Sequence, residues 1–290
     1  MRIGATFPHY EIGTDPGALR AYAEAVEALG YDFITAYDHV LGADLSARAV
    51  WRPMSGNPPR YNKAHQFHEV FTLFAFLSGF TKRVEFFTHI LILPQRQTVL
   101  VAKQAAEVDV LSRGRLRLGI ANGWNDVEYE GLGMDYHNRG ARMEEQIALL
   151  RALWTQEVVT FHGRWHHVTA AGLNPLPVQR PIPLWLGGGN NEQVIQRAAR
   201  LADGIMGPDP AAVRRAAVAV GRDVSTMGVL ATLRRDLHSA ETLLPQVKEY
   251  ERSGVTHATL ITLDGGFKGV DGHIAVLTDF KQAYDRAQGR

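Results

Sequence analysis

Residues 88–123 read THILILPQRQTVLVAKQAAEVDVLSRGRLRLGIANG, and this stretch decides the fold. An apolar strand runs up to Leu93 and stops at Pro94, which has no N–H to give a ladder. A helix is predicted from about Thr98 to Leu111, with apolar positions at Val99, Val101, Ala102, Ala105, Val108 and Leu111. The turn Ser112-Arg113-Gly114-Arg115 reverses the chain, and a second strand, Leu116 to Ile120, ends in Ala121-Asn122-Gly123. Strand, helix and strand in this order form a βαβ unit, whose two strands must be parallel. The polar strand ends His89-Ile90 and Asn122-Gly123 then lie on one rim of the sheet. That rim is where parallel sheets and barrels bind ligands.

The alternation continues outward in both directions. Arg2 to Phe7 and Phe33 to Tyr37 read as strands. Between them Asp15-Pro16 caps a helix that carries Leu19, Tyr22, Ala23 and Val26 on one stripe and stops at Gly30. A long polar loop covers residues 40–66, and a helix near residues 68–78 leads into a third strand, Val84 to Leu93. Past the central unit come a helix from Asn138 to Trp154 and a hairpin from Val158 to Val168 turning at His162-Gly163. Strands follow at residues 183–186, 204–206, 227–232 and 257–263, with helices between them and after the last. Eight parallel strands, each followed by a helix, predict a (β/α)₈ TIM barrel. A doubly wound sheet is the second choice. The 40–66 loop after strand two and the hairpin before strand five are excursions from one domain spanning residues 1–290.

Bulk composition removes several classes of function. The formal net charge is +1 and the Lys and Arg residues are scattered, so neither nucleic acid nor an anionic membrane is an expected partner. With no cysteine, disulfide, thiolate and Cys-metal chemistry drop out. No apolar run reaches the roughly 18 residues of a membrane span, and the N-terminus lacks a signal peptide's apolar core. A cytoplasmic location is expected. His166-His167 in the hairpin finds no third ligand at metal spacing, so no metal site is expected.

The rim carries the candidate chemistry. Asp38-His39 follows strand two, where a carboxylate can accept a ring N–H and an imidazole can stabilise charge or move a proton. A turn cap is the competing reading. His89 interrupts an otherwise apolar strand, and Ile90 follows it. Either His89 meets a ligand, or it is a satisfied core histidine. Asn122 offers a donor and an acceptor beside Gly123, which permits close backbone approach. Gly187-Gly188-Gly189 opens the helix after strand five, a place for one phosphate on backbone N–H groups. The run matches neither nucleotide fingerprint. His9, Trp51, Tyr61 and Trp124 are candidate pocket walls, with the 40–66 loop as a roof. Arg139, Arg142, Glu144 and Glu145 read as surface pairs on one helix.

These residues bring a family into view. The chain resembles the bacterial luciferase-like superfamily of flavin- and deazaflavin-dependent oxidoreductases. The segments that carry the likeness are IGATFP at 3–8, ALGYDFITAYDHV at 28–40, ILPQRQTVLVAKQAAEVDVLSRGRLRLGIANGWNDVEYEGLG at 92–133, RMEEQIALLRALWTQEVVTFHGRWH at 142–166 and PLWLGGGNNEQVIQRAARLADG at 183–204. It looks closest to the coenzyme F420-dependent branch. The resemblance implies that Asp38 meets the ring system and that His39 sits beside the reacting centre. It implies a non-prolyl cis peptide at His89-Ile90, forming a ridge beneath the ring. Asn122 and Gly123 would hold the ring's edge, and the 187–189 glycines the cofactor's phosphate. Trp124 stands where some F420 sugar dehydrogenases of the group carry glutamate, and Asn122 where luciferases carry arginine. A homodimer and a small-molecule substrate are implied. The activity expected is hydride transfer between F420 and a small organic substrate. The alternatives are an FMN monooxygenase using reduced flavin and O₂, and a non-catalytic flavin or deazaflavin binder.

Overall fold

In the computed structural model of the chain, residues 1–48, 53, 54, 56, 59–207, 209–235 and 238–289 are described. The strands are β1 (Arg2–Thr6), β2 (Phe33–Ala36), β3 (Glu85–Thr88), β4 (Leu91–Ile92), β5 (Leu116–Ala121), β6 (Val159–His162), β7 (His167–Ala171), β8 (Leu184–Gly187), β9 (Gly204–Met206), β10 (Gly228–Arg234) and β11 (His257–Ile261). The helices are α1 (His9–Ile12), α2 (Pro16–Ala28), α3 (Val70–Ser78), α4 (Thr98–Leu111), α5 (Asp126–Gly131), α6 (Arg139–Thr155), α7 (Glu192–Leu201), α8 (Pro210–Ala219), α9 (Ala240–Ser253) and α10 (Gly269–Ala287).

Parallel pairing runs from β3 through β2, β1, β11, β10, β9 and β8 to β5. β5 then pairs with both β3 and β4, so the sheet has no free edge there and closes on itself. An open doubly wound sheet would leave two edges. The result is the closed eight-strand (β/α)₈ barrel that the alternation predicted. One strand differs from expectation. The third barrel strand is not continuous from residue 84 to 93. It breaks at His89-Ile90 into β3 and β4, and a 3₁₀ turn at Leu93–Gln95 follows. Its second half pairs only with β5, at Leu91 and Ile92.

Local chemistry explains the helix starts. The Asp15 carboxylate accepts the Ala18 N–H at 2.9 Å, ahead of α2. Asp209 does the same for Ala211 at 3.0 Å, ahead of α8. Both helices have proline at the first turn, where a missing N–H costs nothing. The interior of the barrel is filled by Phe33, Phe87, Trp185, Met206 and Leu230, drawn from five strands. The hydroxyls of Thr6, Thr35 and Thr259 close a triangle of mutual contacts at 2.9–3.0 Å. Each hydroxyl therefore has a partner despite full burial.

The hairpin β6–β7 is present, with a longer turn than predicted: Gly163 N–H donates to the His166 carbonyl at 2.9 Å. Glu145 on α6 accepts the N–H groups of Arg164, Trp165 and His166 and the His166 ring. His166 Nε2 also lies 2.7 Å from Thr98 Oγ1. The hairpin is thus fastened to α6 and α4. Glu145 is not a surface pair partner, and Arg142 is buried with its guanidinium on the Pro94 carbonyl and Asn138. Glu144 pairs across to Arg197 at 2.7 Å. No described helix is long and apolar enough to cross a membrane. Among the described residues no group of three or more His, Cys, Asp or Glu is placed to hold a metal.

Four histidines are folded in as neutral groups. Burial lowers His9 to about 3, His89 to about 4, His257 to about 3 and His273 to about 4. Their unfolded pKa is near 6.5, so below that value the unfolded chain binds protons that the fold refuses. Stability should therefore be full above pH 6.5 and fall steadily toward pH 4. The expected slope approaches about 1.4 kcal/mol per pH unit for each histidine. Urea denaturation at pH 7, 6, 5 and 4.5 measures it. A flat profile across this window contradicts the neutral assignment.

Candidate active site

Register fixes which residues share the carboxyl rim. Ala36 lies level with Thr88, Ile92 with Ala121 and Gly187 with Met206. The residues just past these points surround the barrel mouth. They are Tyr37-Asp38-His39 after β2, His89-Ile90 between β3 and β4, Asn122-Gly123-Trp124 after β5 and Gly188-Gly189 after β8.

Asp38 is buried, and its carboxylate is fully engaged. Arg96 approaches with Nη2 at 2.5 Å and Nε at 3.3 Å, and the Ile92 N–H donates at 3.1 Å. Arg96 continues to Glu69 at 3.4 Å, the residue that caps α3. Burial pushes the Asp38 carboxyl up from its ordinary range, and Arg96 pulls it back. Burial also pulls the Arg96 guanidinium down, but Asp38 outweighs this and leaves it above its ordinary value. The pair is ionised, because a neutral carboxyl would take from a permanently charged, largely buried guanidinium the nearer of its two carboxylates. Both oxygens of Asp38 are spent on holding the restart of the third strand.

His39 stands in an aromatic enclosure. Its ring centroid is 4.0 Å from that of Tyr61, 4.9 Å from Phe67 and 6.4 Å from Trp124. Its Nδ1 is 3.5 Å from Oε1 of Glu128. Glu128 has no exposed side-chain surface, and the same oxygen accepts the Val40 N–H at 2.6 Å. The Tyr61 hydroxyl accepts from Asn125 Nδ2 at 2.6 Å and donates to the Leu41 carbonyl at 3.2 Å. Burial raises the Tyr61 phenol well above its ordinary value, so it remains a neutral hydroxyl. Three predicted residues, His39, Tyr61 and Trp124, therefore share one wall. Trp51 lies outside the described residues.

His89 stacks on Tyr37 with centroids 5.9 Å apart, and its peptide bond to Ile90 is cis. Burial keeps the His89 ring neutral, and its Nδ1 has no partner in the protein. Asn122 Oδ1 and both amide atoms of Gln95 are likewise buried and unpartnered. Each would cost about 1–3 kcal/mol if left dry and empty-handed. Ile90 reaches across the mouth to β8, where a Cβ on Gly187 would come within 2.9 Å of its Cγ2. Only glycine allows that approach. At Gly189, φ is +56° and the space where a side chain would stand is open.

Two placements differ from the sequence reading. His9 is fully buried, with Nε2 3.1 Å from the Tyr37 N–H and Nδ1 3.2 Å from the His68 N–H. It braces the loops behind the rim and has no open face. The glycine run does not itself open a helix. α7 begins at Glu192, capped by the Asn191 side chain on the Val194 N–H at 3.2 Å. The Gly189 N–H points instead at the Met206 carbonyl, 3.3 Å away. A cavity of about 500 Å³ lies beside the mouth, between Arg96, Arg142, Gln146 and the Trp165-His166 end of the hairpin. None of the predicted site residues lines it.

Sequence reasoning missed Arg96, Gln95 and Glu128. Glu128 did leave a trace. It stands three residues after the α5 cap Asn125, the spacing of a capping box. Here it turns away from its own helix to face His39 and to accept the Val40 and Leu41 N–H groups.

Comparison with known proteins agrees with this geometry. The pattern that describes the luciferase-like monooxygenase family matches residues 3–233. An uncharacterized protein of Mycobacterium tuberculosis is 33% identical over 253 residues, covering 86% of each chain. An FMNH₂-dependent dimethylsulfone monooxygenase of Pseudomonas putida is 32% identical over 139 residues, which is 47% of this chain and 38% of that one. Among solved structures, an F420-dependent secondary alcohol dehydrogenase holding an F420–acetone adduct superposes with a TM-score of 0.76 at 17% identity, over 98% of both chains. The chain belongs to the luciferase-like monooxygenase family.

Proposed function

We propose that this protein is an F420-dependent oxidoreductase that moves a hydride between the deazaflavin and a small organic substrate. The observation that carries the reading is the set of unpartnered polar atoms around the barrel mouth. His89 Nδ1, Asn122 Oδ1 and the Gln95 amide are buried donors and acceptors on adjoining elements. A tricyclic ring with polar edges would give them partners. Ile90, pressed across to Gly187, would form the apolar ridge under such a ring. The open, positive-φ turn at Gly189 would receive the phosphate. When bound, the cofactor supplies the hydride chemistry.

His39 would hold or move the proton that accompanies the hydride. With Nδ1 turned to Glu128, Nε2 is the atom left for the substrate. Tyr61, Phe67 and Trp124 would exclude water from that side and shape an apolar substrate site. Asp38 would act through Arg96 and Ile92, holding the ridge in place without touching the ring. The near end-to-end match to an F420 enzyme's fold supports the deazaflavin. A second reading, a monooxygenase using reduced FMN and O₂, is favoured by the similarity to the dimethylsulfone enzyme. We further propose a cytoplasmic homodimer, for which the exposed Phe76, Val99, Leu100 and Leu111 on the neighbouring helices α3 and α4 offer an apolar face.

Parallel titrations with F420, FMN and FAD should show tightest binding for F420. Anaerobic mixing of F420H₂-loaded protein with a panel of small ketones, aldehydes and imines should change the deazaflavin absorbance. Oxygen uptake with FMNH₂ and no F420 turnover would instead establish the second reading. Tight cofactor binding with no turnover on any panel would make the protein a non-catalytic binder. His39→Ala should lower kcat by about 100-fold or more, the usual contribution of a positioned acid or base. Glu128→Gln should lower kcat roughly tenfold, leaving KM for the cofactor near wild type. Unchanged turnover in His39→Ala removes the histidine from the mechanism.

A further inference from the structure

The amino ends of the barrel strands enclose a second cavity, of about 450 Å³, at the end opposite the mouth. Its wall includes Arg117 of β5, Trp185 of β8 and His257 of β11. Trp185 is 1% exposed and His257 8%. Yet Trp185 Nε1, His257 Nε2 and Arg117 Nε have no hydrogen-bond partner in the protein. The three side chains are neighbours. The Trp185 and His257 rings meet edge to face at 4.9 Å, and the Arg117 guanidinium lies 5.4 Å from the indole centroid.

The sign of the unspent capacity is decisive. Most acceptors around this wall are engaged. Glu85 takes Arg2 at 2.9 Å and Arg117 Nη2 at 3.0 Å. Asp203 Oδ2 takes the Leu184 N–H at 2.8 Å and Arg151 at 3.0 Å. Thr256 Oγ1 accepts the Val229 N–H at 2.9 Å and faces His257 Nδ1 at 2.8 Å. What remains at Trp185 and Arg117 is donor capacity, because indole and guanidinium N–H groups can only donate, and His257 Nε2 joins them when it carries a proton. A group rich in lone pairs and poor in protons completes such a wall, and water brings two further protons that find few acceptors. We propose that this floor cavity binds a small oxyanion, the phosphate or carboxylate group of a small molecule, through Arg117, Trp185 and His257. The site is separate from the mouth and does not depend on the activity proposed there.

Occupancy should be linked to His257. Burial and the charges of Arg117, Arg2 and the N-terminal amine hold its pKa down to about 3. Glu85 is already shared between Arg2 and Arg117, and Asp203 is held by Arg151. An oxyanion against Nε2 opposes the three positive charges and favours the imidazolium, whose Nδ1–H donates to Thr256 Oγ1. Anion binding and protonation of His257 therefore favour each other, and the bound anion raises the pKa of the ring.

Titration of the ¹⁵N-labelled protein with inorganic phosphate, and with acetate in a parallel arm, tests this. The reporter is the Trp185 indole N–H resonance, identified as the one lost in Trp185→Phe. It should shift saturably with phosphate, and the His257 ring should titrate at least one pH unit higher in its presence. Response to phosphate alone selects phosphoryl ligands, and response to both anions selects oxyanions in general. Arg117→Gln should weaken binding about tenfold, and so should His257→Gln, which serves if Arg117→Gln does not fold. A static Trp185 resonance overturns the proposal, even if phosphate raises the thermal midpoint, because binding then lies elsewhere. So does unchanged affinity in a folded variant.

Discussion

The mouth of this barrel depends on one ion pair. Asp38 and Arg96 are drawn from the end of β2 and from the turn before α4, and they meet with little access to water. Taking two charges out of water costs several kcal/mol per ion, which good geometry and further hydrogen bonds must offset. Both conditions hold here. Arg96 grips Asp38 through two nitrogens, and the Ile92 N–H takes a further place on the carboxylate. That last bond is the structural point. Ile92 lies in β4, the short strand that resumes after the break at His89-Ile90. Without an acceptor fixed above it, the second half of the third strand would hang on its pairing with β5 alone.

A consequence follows for the side chains around the break. Once β4 is fixed, Ile90 is aimed at Gly187, and His89 is stacked against Tyr37. The polar atoms that find no partner in the protein gather at the two ends of the barrel. Between them lie the apolar interior of Phe33, Phe87, Trp185, Met206 and Leu230 and the self-satisfied triangle of threonine hydroxyls. The middle is packed, and Ile90 of the mouth and Trp185 of the floor belong to opposite sides of the same apolar cluster.

The fold was legible because its signals are local. The βαβ unit at 88–123, the Asp-Pro cap at 15–16 and the hairpin all rest on neighbours in sequence, and all appear in the structure. The site was legible where a polar residue interrupts an apolar strand or follows it, as at His39, His89 and Asn122. It was opaque where charge is buried by tertiary contact. Arg96, Arg142, Glu128 and Glu145 look like solvated helix or loop residues, because composition carries no record of what will cover them. Asp38 was read as facing a ligand, and His9 as lining a pocket. Neither reading could foresee that Arg96 would consume the first or that two backbone N–H groups would enclose the second.

Glu128 shows how much function can hang on such an invisible residue. Its Oε1 faces His39 and also receives the backbone of Val40 and Leu41, the first residues of the long loop. Its neighbour Asn125 holds the far side of the same loop, through the Tyr61 hydroxyl and the Leu41 carbonyl. One short helix, α5, therefore fixes both the imidazole proposed to move a proton and the roof proposed to close over the substrate. The carboxylate that faces His39 is also the one that receives the first two residues of the loop, so the loop and the imidazole share one anchor.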